Sequence, residues 1–213
     1  MSTNRRGERM VAEQLRTHGI TDQRVLQAMT ELPREEFVSA DLRRLAYADH
    51  PLAIGGGQTI SQPLVVAAMT QAAAPQPEEI ALEVGAGSGY QAALLARLCR
   101  HVVGLERNGE LSQRCSATLA RLGIANAEVH HADGGLGWPT NAPYDVIVVS
   151  AAAPVVPAPL LAQLADGGRL VIPVAREADE PQDLLLVTKS GSDLLTRTIF
   201  KVLFVPLLEG ISS

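Results

Sequence analysis

From residue 80 to residue 174 the chain repeats one alternation: a short aliphatic run, then a longer stretch in which apolar positions recur every three or four residues. The runs at 80–84, 101–105, 127–131, 145–150 and 169–174 predict strands, and the stretches at 90–98, 110–122 and 159–164 predict the helices between them. The connection around Trp138 has neither period. Strands that lack polar alternation and are separated by helices indicate a parallel sheet covered on both faces. The expected fold class is therefore α/β, with a doubly wound, mostly parallel sheet.

The flanks differ. Met10, Val11 and Leu15 recur at helical spacing over residues 8–18 and stop at Gly19, and Thr21 is placed to cap a second helix carrying Val25, Leu26 and Met29 before Pro33. Residues 47–62 hold Pro51, three consecutive glycines (Gly55, Gly56, Gly57) and then Gln58-Thr59-Ile60-Ser61 before Pro63. They predict a loop feeding the N-terminus of an Ala/Val-rich helix. Beyond Pro181, residues 184–188, a Lys189-Ser190-Gly191-Ser192 turn and residues 194–203 predict an antiparallel hairpin at the sheet edge. A single domain is expected over 1–213, with N-terminal helices and a substrate loop in 1–75, a ligand-binding core in 76–175 and edge strands in 176–213.

Composition narrows the function. With 46% hydrophobic and 19% charged residues in 213, the chain can build a core and is not disordered. Aromatic residues make up 3%, and 18 Lys+Arg stand against 23 Asp+Glu, so neither stacked rings nor a basic surface is available for nucleic acid. Cys99 and Cys115 have no CxxC spacing, which suggests no zinc site or disulfide framework and fits a reducing compartment. No apolar segment resembling a secretory signal follows Met1, so a cytoplasmic location is expected. Residues 146–165 carry no charge over nearly a membrane's width, but Pro154, Pro157 and Pro159 interrupt them, so no membrane span is expected. A monomer is expected.

The strongest chemical signal is Glu83-Val84-Gly85-Ala86-Gly87-Ser88-Gly89-Tyr90 at a strand-to-helix junction. Glycines there let the chain turn tightly and let a ligand approach backbone amides. The dinucleotide fingerprint needs glycine where Tyr90 stands; the third glycine comes one residue early. With an acid two places before the first glycine, the loop resembles the methyltransferase form, whose ligand is S-adenosylmethionine. Glu106, ending the next strand, can accept two ribose hydroxyls, and Asp133, after the third strand, is placed to meet the adenine amino group.

The chain resembles the protein-L-isoaspartate (D-aspartate) O-methyltransferase family over nearly its whole length. The resemblance rests on Ala46-Tyr47-Ala48-Asp49, Ile54-Gly55-Gly56-Gly57-Gln58-Thr59-Ile60-Ser61-Gln62-Pro63, the glycine loop with Gln91-Ala92-Ala93, Asp133-Gly134-Gly135-Leu136-Gly137-Trp138, Gly167-Gly168-Arg169-Leu170 and Phe204-Val205-Pro206-Leu207. It implies a class I, Rossmann-like methyltransferase fold. It also implies methylation by S-adenosylmethionine, with S-adenosylhomocysteine as product, of the free carboxylate of isoaspartyl residues in aged proteins, whose ester then recloses to a succinimide. Ser61 is implied as catalytic. Gln58, Thr59, Ile60, Glu83, Gly85, Gly87, Gly89, Glu106, Asp133 and Gly134 are implied around the cofactor, and Thr59, Ser61 and Gln182 around the substrate. Where the family is often glycine-rich, residues 175–180 read Ala-Arg-Glu-Ala-Asp-Glu, a departure at the substrate rim.

A carboxylate is already ionised at neutral pH, so methylating it needs placement and partial dehydration rather than a general base, and no metal is expected. His130 and His131, adjacent in a strand, point to opposite faces and are expected to be structural or solvated. Trp138 and Tyr90 are expected to pack rather than stack on a ligand. Ser61 also reads as a helix cap, a role compatible with catalysis because a helix N-terminus suits an anion. Two other readings stay open: a related enzyme acting on aspartate of a biosynthetic peptide precursor, and a nonenzymatic module that keeps the fold to bind a partner.

Overall fold

In the computed structural model, which describes residues 4–175 and 180–212, seven strands form one sheet in the order β5-β4-β3-β6-β7-β8-β9. The chain enters through α1 (Arg5–Met10), which continues as a wider turn over Val11–Leu15 and a tighter one over Arg16–His18 before Gly19 ends it at φ +87°. α2 (Gln23–Glu31) is capped by Asp22, not by Thr21: the Asp22 carboxylate accepts the Arg24 amide at 2.9 Å. The Thr21 and Asp22 amides both donate instead to Gln71.

The glycine-rich loop contains structure that its glycines hid. β1 (Leu52–Gly55) and β2 (Gln58–Ile60) pair as an antiparallel hairpin, with Leu52, Ile54 and Ile60 turned inward. Gly55, Gly56 and Gly57 all have positive φ (+94°, +58° and +70°), a run that side chains would strain. α3 (Pro63–Ala73) follows with Pro63 in its first turn.

The core then alternates as expected: β3 (Ile80–Val84), α4 (Tyr90–Ala96), β4 (His101–Glu106), α5 (Gly109–Arg121), β5 (Ala127–His131), β6 (Tyr144–Val149), α6 (Ala158–Ala162) and β7 (Leu164–Val174). β7 begins five residues before the expected start, because its ladder reaches back irregularly to pair Leu164 with Tyr144. β3 to β7 are parallel to their neighbours, while β8 (Gln182–Ser190) and β9 (Asp193–Val202) complete the sheet antiparallel. Residues 176–179, most of the departure at the substrate rim, lie outside the described residues.

Successive residues of each central strand feed opposite faces. Val102, Val146, Val148 and Val171 pack with the residues of α1 to α5, whereas Leu82, Val103, Ile147, Val149 and Leu170 pack with Leu160, Leu164 and Tyr144. Each such side chain contributes about 1.5–3 kcal/mol by leaving water. At the pole away from the carboxyl ends of these strands, Arg169 forks onto Glu79 at 2.7 Å and donates to the Ala73 and Ala74 carbonyls. This joins α3, β3 and β7. The order β4-β3-β6 makes β3 and β6 the topological switch point, where a crevice opens at the carboxyl ends.

Candidate active site

That crevice is open to solvent and gathers residues from both ends of the chain as well as from the core. It is lined by Gln58, Thr59, Ile60 and Ser61 from β2 and the segment after it, by Glu83, Gly85 and Gly87 from β3 and its glycine loop, by Glu106 and Gly134, and by residues 205–208. Ser150, just after β6, and Met69 and Gln91, from α3 and α4, also line it. The switch-point rule could have pointed to Ser150 from sequence, and Gln91 stood in the motif that follows the glycine loop; Met69 carried no signal beyond its helical period.

Glu106 is the organising acid. Its Oε2 accepts the Gly87 amide at 2.8 Å and its Oε1 the Asn108 amide at 2.9 Å. Only 5% of it is exposed, and each oxygen keeps a second lone pair for a hydroxyl. Three further loop amides are occupied by the protein itself: Gly85 and Ala86 donate to Leu105, and Gly89 to Ala86. The glycines therefore offer a ligand space more than donors. A Cβ on Gly87 would lie 3.2 Å from Ile54 Cδ1 of the β1–β2 hairpin, so the loop and the hairpin close on one another.

Glu83 is buried, and its Oε2 has no hydrogen-bond partner among the described residues. Burial, together with the nearby Glu106 carboxylate, pushes its carboxyl well above the usual range, against a smaller effect of the Ala92 amide. A cationic ligand placed here would let this orphaned carboxyl ionise beside the second carboxylate, and S-adenosylmethionine carries both a sulfonium and an ammonium group. The residues present fit that group.

Three expected residues stand elsewhere. Gly89 is buried behind the loop at φ +87°, and a Cβ there would meet Cys115 Sγ at 2.6 Å, so packing accounts for it. Asp133 Oδ1 accepts the Gly135 amide at 2.9 Å and Oδ2 the Gly210 amide at 2.6 Å. Asp133 lines, with Leu136 and Val155, a depression that shares Leu207 and Leu208 with the crevice, whereas Gly134 lines the crevice itself. Gln182 lies off the crevice wall, with its amide bonded to the Phe204 backbone at 2.6 Å and 3.3 Å. It thereby holds the segment that leads into Val205–Leu208. Ser61 precedes Gln62, the residue that caps α3, and no side-chain bond caps that helix. The capping reading of Ser61 is corrected.

The histidines are held structurally: His130 stacks on Trp138 at 4.3 Å, and His131 Nε2 lies 2.9 Å from the Arg107 carbonyl and 3.0 Å from that of Ser212. Among the described residues no three metal-ligating side chains gather, and no helix is long and apolar enough to cross a membrane.

Residues 5–212 match the family model described as protein-L-isoaspartate (D-aspartate) O-methyltransferase. The chain belongs to this family. A protein-L-isoaspartate O-methyltransferase of Synechococcus sp. (strain JA-2-3B'a(2-13)) is 52% identical over 206 residues, covering 94% of this chain and 84% of that one. One of Methanoregula boonei is 51% identical over 200 residues, covering 94% and 91%. Among solved structures, a protein-L-isoaspartate O-methyltransferase superposes with a TM-score of 0.85 at 30% identity, over 94% of this chain and 65% of that longer one. A Plasmodium falciparum member, solved with S-adenosyl-L-homocysteine, superposes at 0.81 with 27% identity over 98% and 99% of the two chains. The expected Rossmann-like methyltransferase fold, with its antiparallel edge strands, is borne out. In this isoaspartate methyltransferase fold the crevice lies where the β3 glycine loop, the β4 acid and the β1–β2 hairpin converge.

Proposed function

We propose that the chain transfers the methyl group of S-adenosylmethionine to the free carboxylate of L-isoaspartyl residues in aged proteins and peptides. The observation that carries this reading is the convergence of Gln58–Ser61 with Gly85, Gly87 and Glu106 in one crevice, within a chain of this family.

Bound S-adenosylmethionine supplies an electrophilic methyl on a sulfonium. The residues of the chain do the rest by position. Glu106, aligned by two backbone amides, takes ribose hydroxyls; the orphaned Glu83 oxygen faces the cationic end; and Gly85, Gly87 and Gly134 leave room for backbone contact. Ser61 and Thr59 orient the substrate carboxylate, so that one oxygen is held and the other faces the methyl group. No proton need be removed, since the carboxylate arrives ionised. Exclusion of water by Ile60, Met69 and Leu207 keeps that oxygen nucleophilic.

Cys99 and Cys115, both buried and unbonded, support a reducing, cytoplasmic location. Arg197 and Lys201 on the edge strand β9 discourage strand addition and support a monomer. The test is methanol release after labelled methyl transfer to an isoaspartyl peptide and its aspartyl twin. Preference for the aspartyl twin would instead identify an enzyme of a biosynthetic peptide precursor, and failure to bind S-adenosylhomocysteine would leave a binding module.

A further inference from the structure

Arg34 lies far from the glycine loop in sequence, in the short turn Arg34–Phe37, yet it is wholly buried. Its Nε donates to the Ala46 carbonyl and its Nη2 to the Ser61 carbonyl, both at 2.6 Å. Its Cζ sits 4.6 Å from the centre of the Tyr90 ring, whose other contact is an edge-to-face packing with Phe37 at 5.3 Å. The Arg34 amide donates to the Tyr47 hydroxyl at 3.2 Å, and that hydroxyl is bonded to Glu35.

Among the described residues Arg34 makes no ion pair within 4.0 Å; Glu35 is paired with Arg6 and Tyr47, and Asp49 acts on Arg34 only at longer range. Burying a guanidinium without a direct carboxylate is unfavourable, and an apolar side chain would fill the space with less penalty. What it gains is two short, charge-assisted bonds to backbone carbonyls. One of them belongs to a residue that neither β2 nor α3 includes: Ser61 lies between Ile60 and Pro63, outside strand and helix alike. Tyr90, against which the same guanidinium rests, lines the crevice at the foot of the glycine loop.

We propose that Arg34 is a positioning residue: its buried guanidinium fixes the Ser61 backbone against Tyr90 and thereby sets the Ser61 hydroxyl relative to the cofactor loop. The inference rests on the function proposed above and adds to it a residue that touches neither substrate nor cofactor. Because Arg34 acts through Ser61, removing the hydroxyl makes the arginine largely irrelevant to rate.

A double-mutant cycle on the full chain reads this, using isoaspartyl peptide turnover, S-adenosylhomocysteine affinity by calorimetry and thermal melting for wild type, Arg34→Lys, Ser61→Ala and the pair. Arg34→Lys keeps the charge but not the fork, and is expected to lower kcat about tenfold with cofactor affinity within about threefold. The pair is expected to fall no more than about threefold below Ser61→Ala alone, since coupled residues are not additive. Penalties that multiply would overturn the proposal, as would a lower melting point with unchanged kcat. If Arg34→Lys does not fold, Arg34→Gln carries the same cycle; failure of both to fold would make Arg34 a folding residue and overturn it too. Wild-type protein that binds S-adenosylhomocysteine but shows multiplied penalties refutes this inference alone, whereas wild type that neither binds nor methylates refutes the proposed function and this inference with it.

Discussion

Glu106 and Gly87 form one unit: the acid that ends β4 takes the amide of the middle glycine after β3 at 2.8 Å, so the loop and its acid are aligned before any ligand arrives. Glu106→Ala would leave the Gly87 and Asn108 amides without their acceptor and remove two sites for hydroxyls. A hydrogen bond to a charged group is worth about 1.5–3 kcal/mol, and about 1.4 kcal/mol is tenfold, so S-adenosylhomocysteine is expected to bind at least about tenfold more weakly. Calorimetry that shows unchanged affinity would remove Glu106 from the site.

Gly87→Val is expected to abolish cofactor binding in a chain that still folds. At φ +51° a β-branched residue is strained, and its Cβ would press on Ile54 at 3.2 Å, pushing the β1–β2 hairpin away from the loop. Strain of about 1–2 kcal/mol in a domain of this size lowers Tm by about 2–8 °C, which leaves folded protein for the binding assay.

Gly89→Ala separates packing from ligand space. The added Cβ would stand 2.6 Å from Cys115 Sγ, so the substitution is expected to lower Tm more than Gly87→Ala does. Cys115→Ala in the same chain should restore part of the loss, the left-handed strain at Gly89 remaining. If the second substitution restores nothing, the sulfur contact is not the cause.

The strands of the parallel core were legible because residues such as Val102, Val103, Ile147 and Val148 are apolar on both sides, a pattern only a doubly covered sheet needs. The β1–β2 hairpin was not: Leu52, Ile54 and Ile60 are too few to show a period, and the glycines that make the turn are the same residues that signal a loop. Glu106 was singled out from its place at a strand end, and the Gln58–Ser61 segment from the family resemblance. Arg34 was invisible, since a charged residue in Leu32-Pro33-Arg34-Glu35-Glu36 reads as solvated surface, and nothing local reveals that Ala46 and Ser61 fold over it. Asp133 was noticed for its chemistry and Gln182 through the family resemblance, but Asp133 accepts the Gly210 amide 77 residues away and Gln182 the Phe204 amide 22 residues away, pairings that exist only in the folded chain.

Glu83 gives the protein a pH-dependent stability of defined sign. Burial, then the Glu106 charge, hold its carboxyl well above the ordinary value of 4.5, so the folded chain keeps a proton that the unfolded chain releases. A raised acid contributes stability that is complete below the ordinary value and is lost as pH rises from there toward the folded value. Melting curves of wild type and Glu83→Gln are expected to draw apart from about pH 4.5 upward, with the glutamine variant losing less. Parallel curves would mean that Glu83 ionises in the fold as it does in the open chain.

Ser61→Ala is expected to alter rate and leave stability alone, and the structure makes the separation clean. The cap position of α3 belongs to Gln62, and the Ser61 contact that holds the chain is its carbonyl, bonded to Arg34, which alanine retains. Melting should therefore shift by no more than surface substitutions do, about 0.5 kcal/mol. The hydroxyl is what disappears. If it holds one oxygen of the substrate carboxylate, turnover of isoaspartyl peptide should fall at least about tenfold, short of the 100-fold or more seen for donors to a full oxyanion, because charge on a carboxylate changes less during attack. Affinity for S-adenosylhomocysteine should change less than turnover, since Glu83, Gly85, Gly87 and Glu106, which carry the cofactor contacts proposed above, are untouched by the substitution. A variant with normal turnover would shift the orienting role to Thr59 or Gln58, the other polar side chains of that segment.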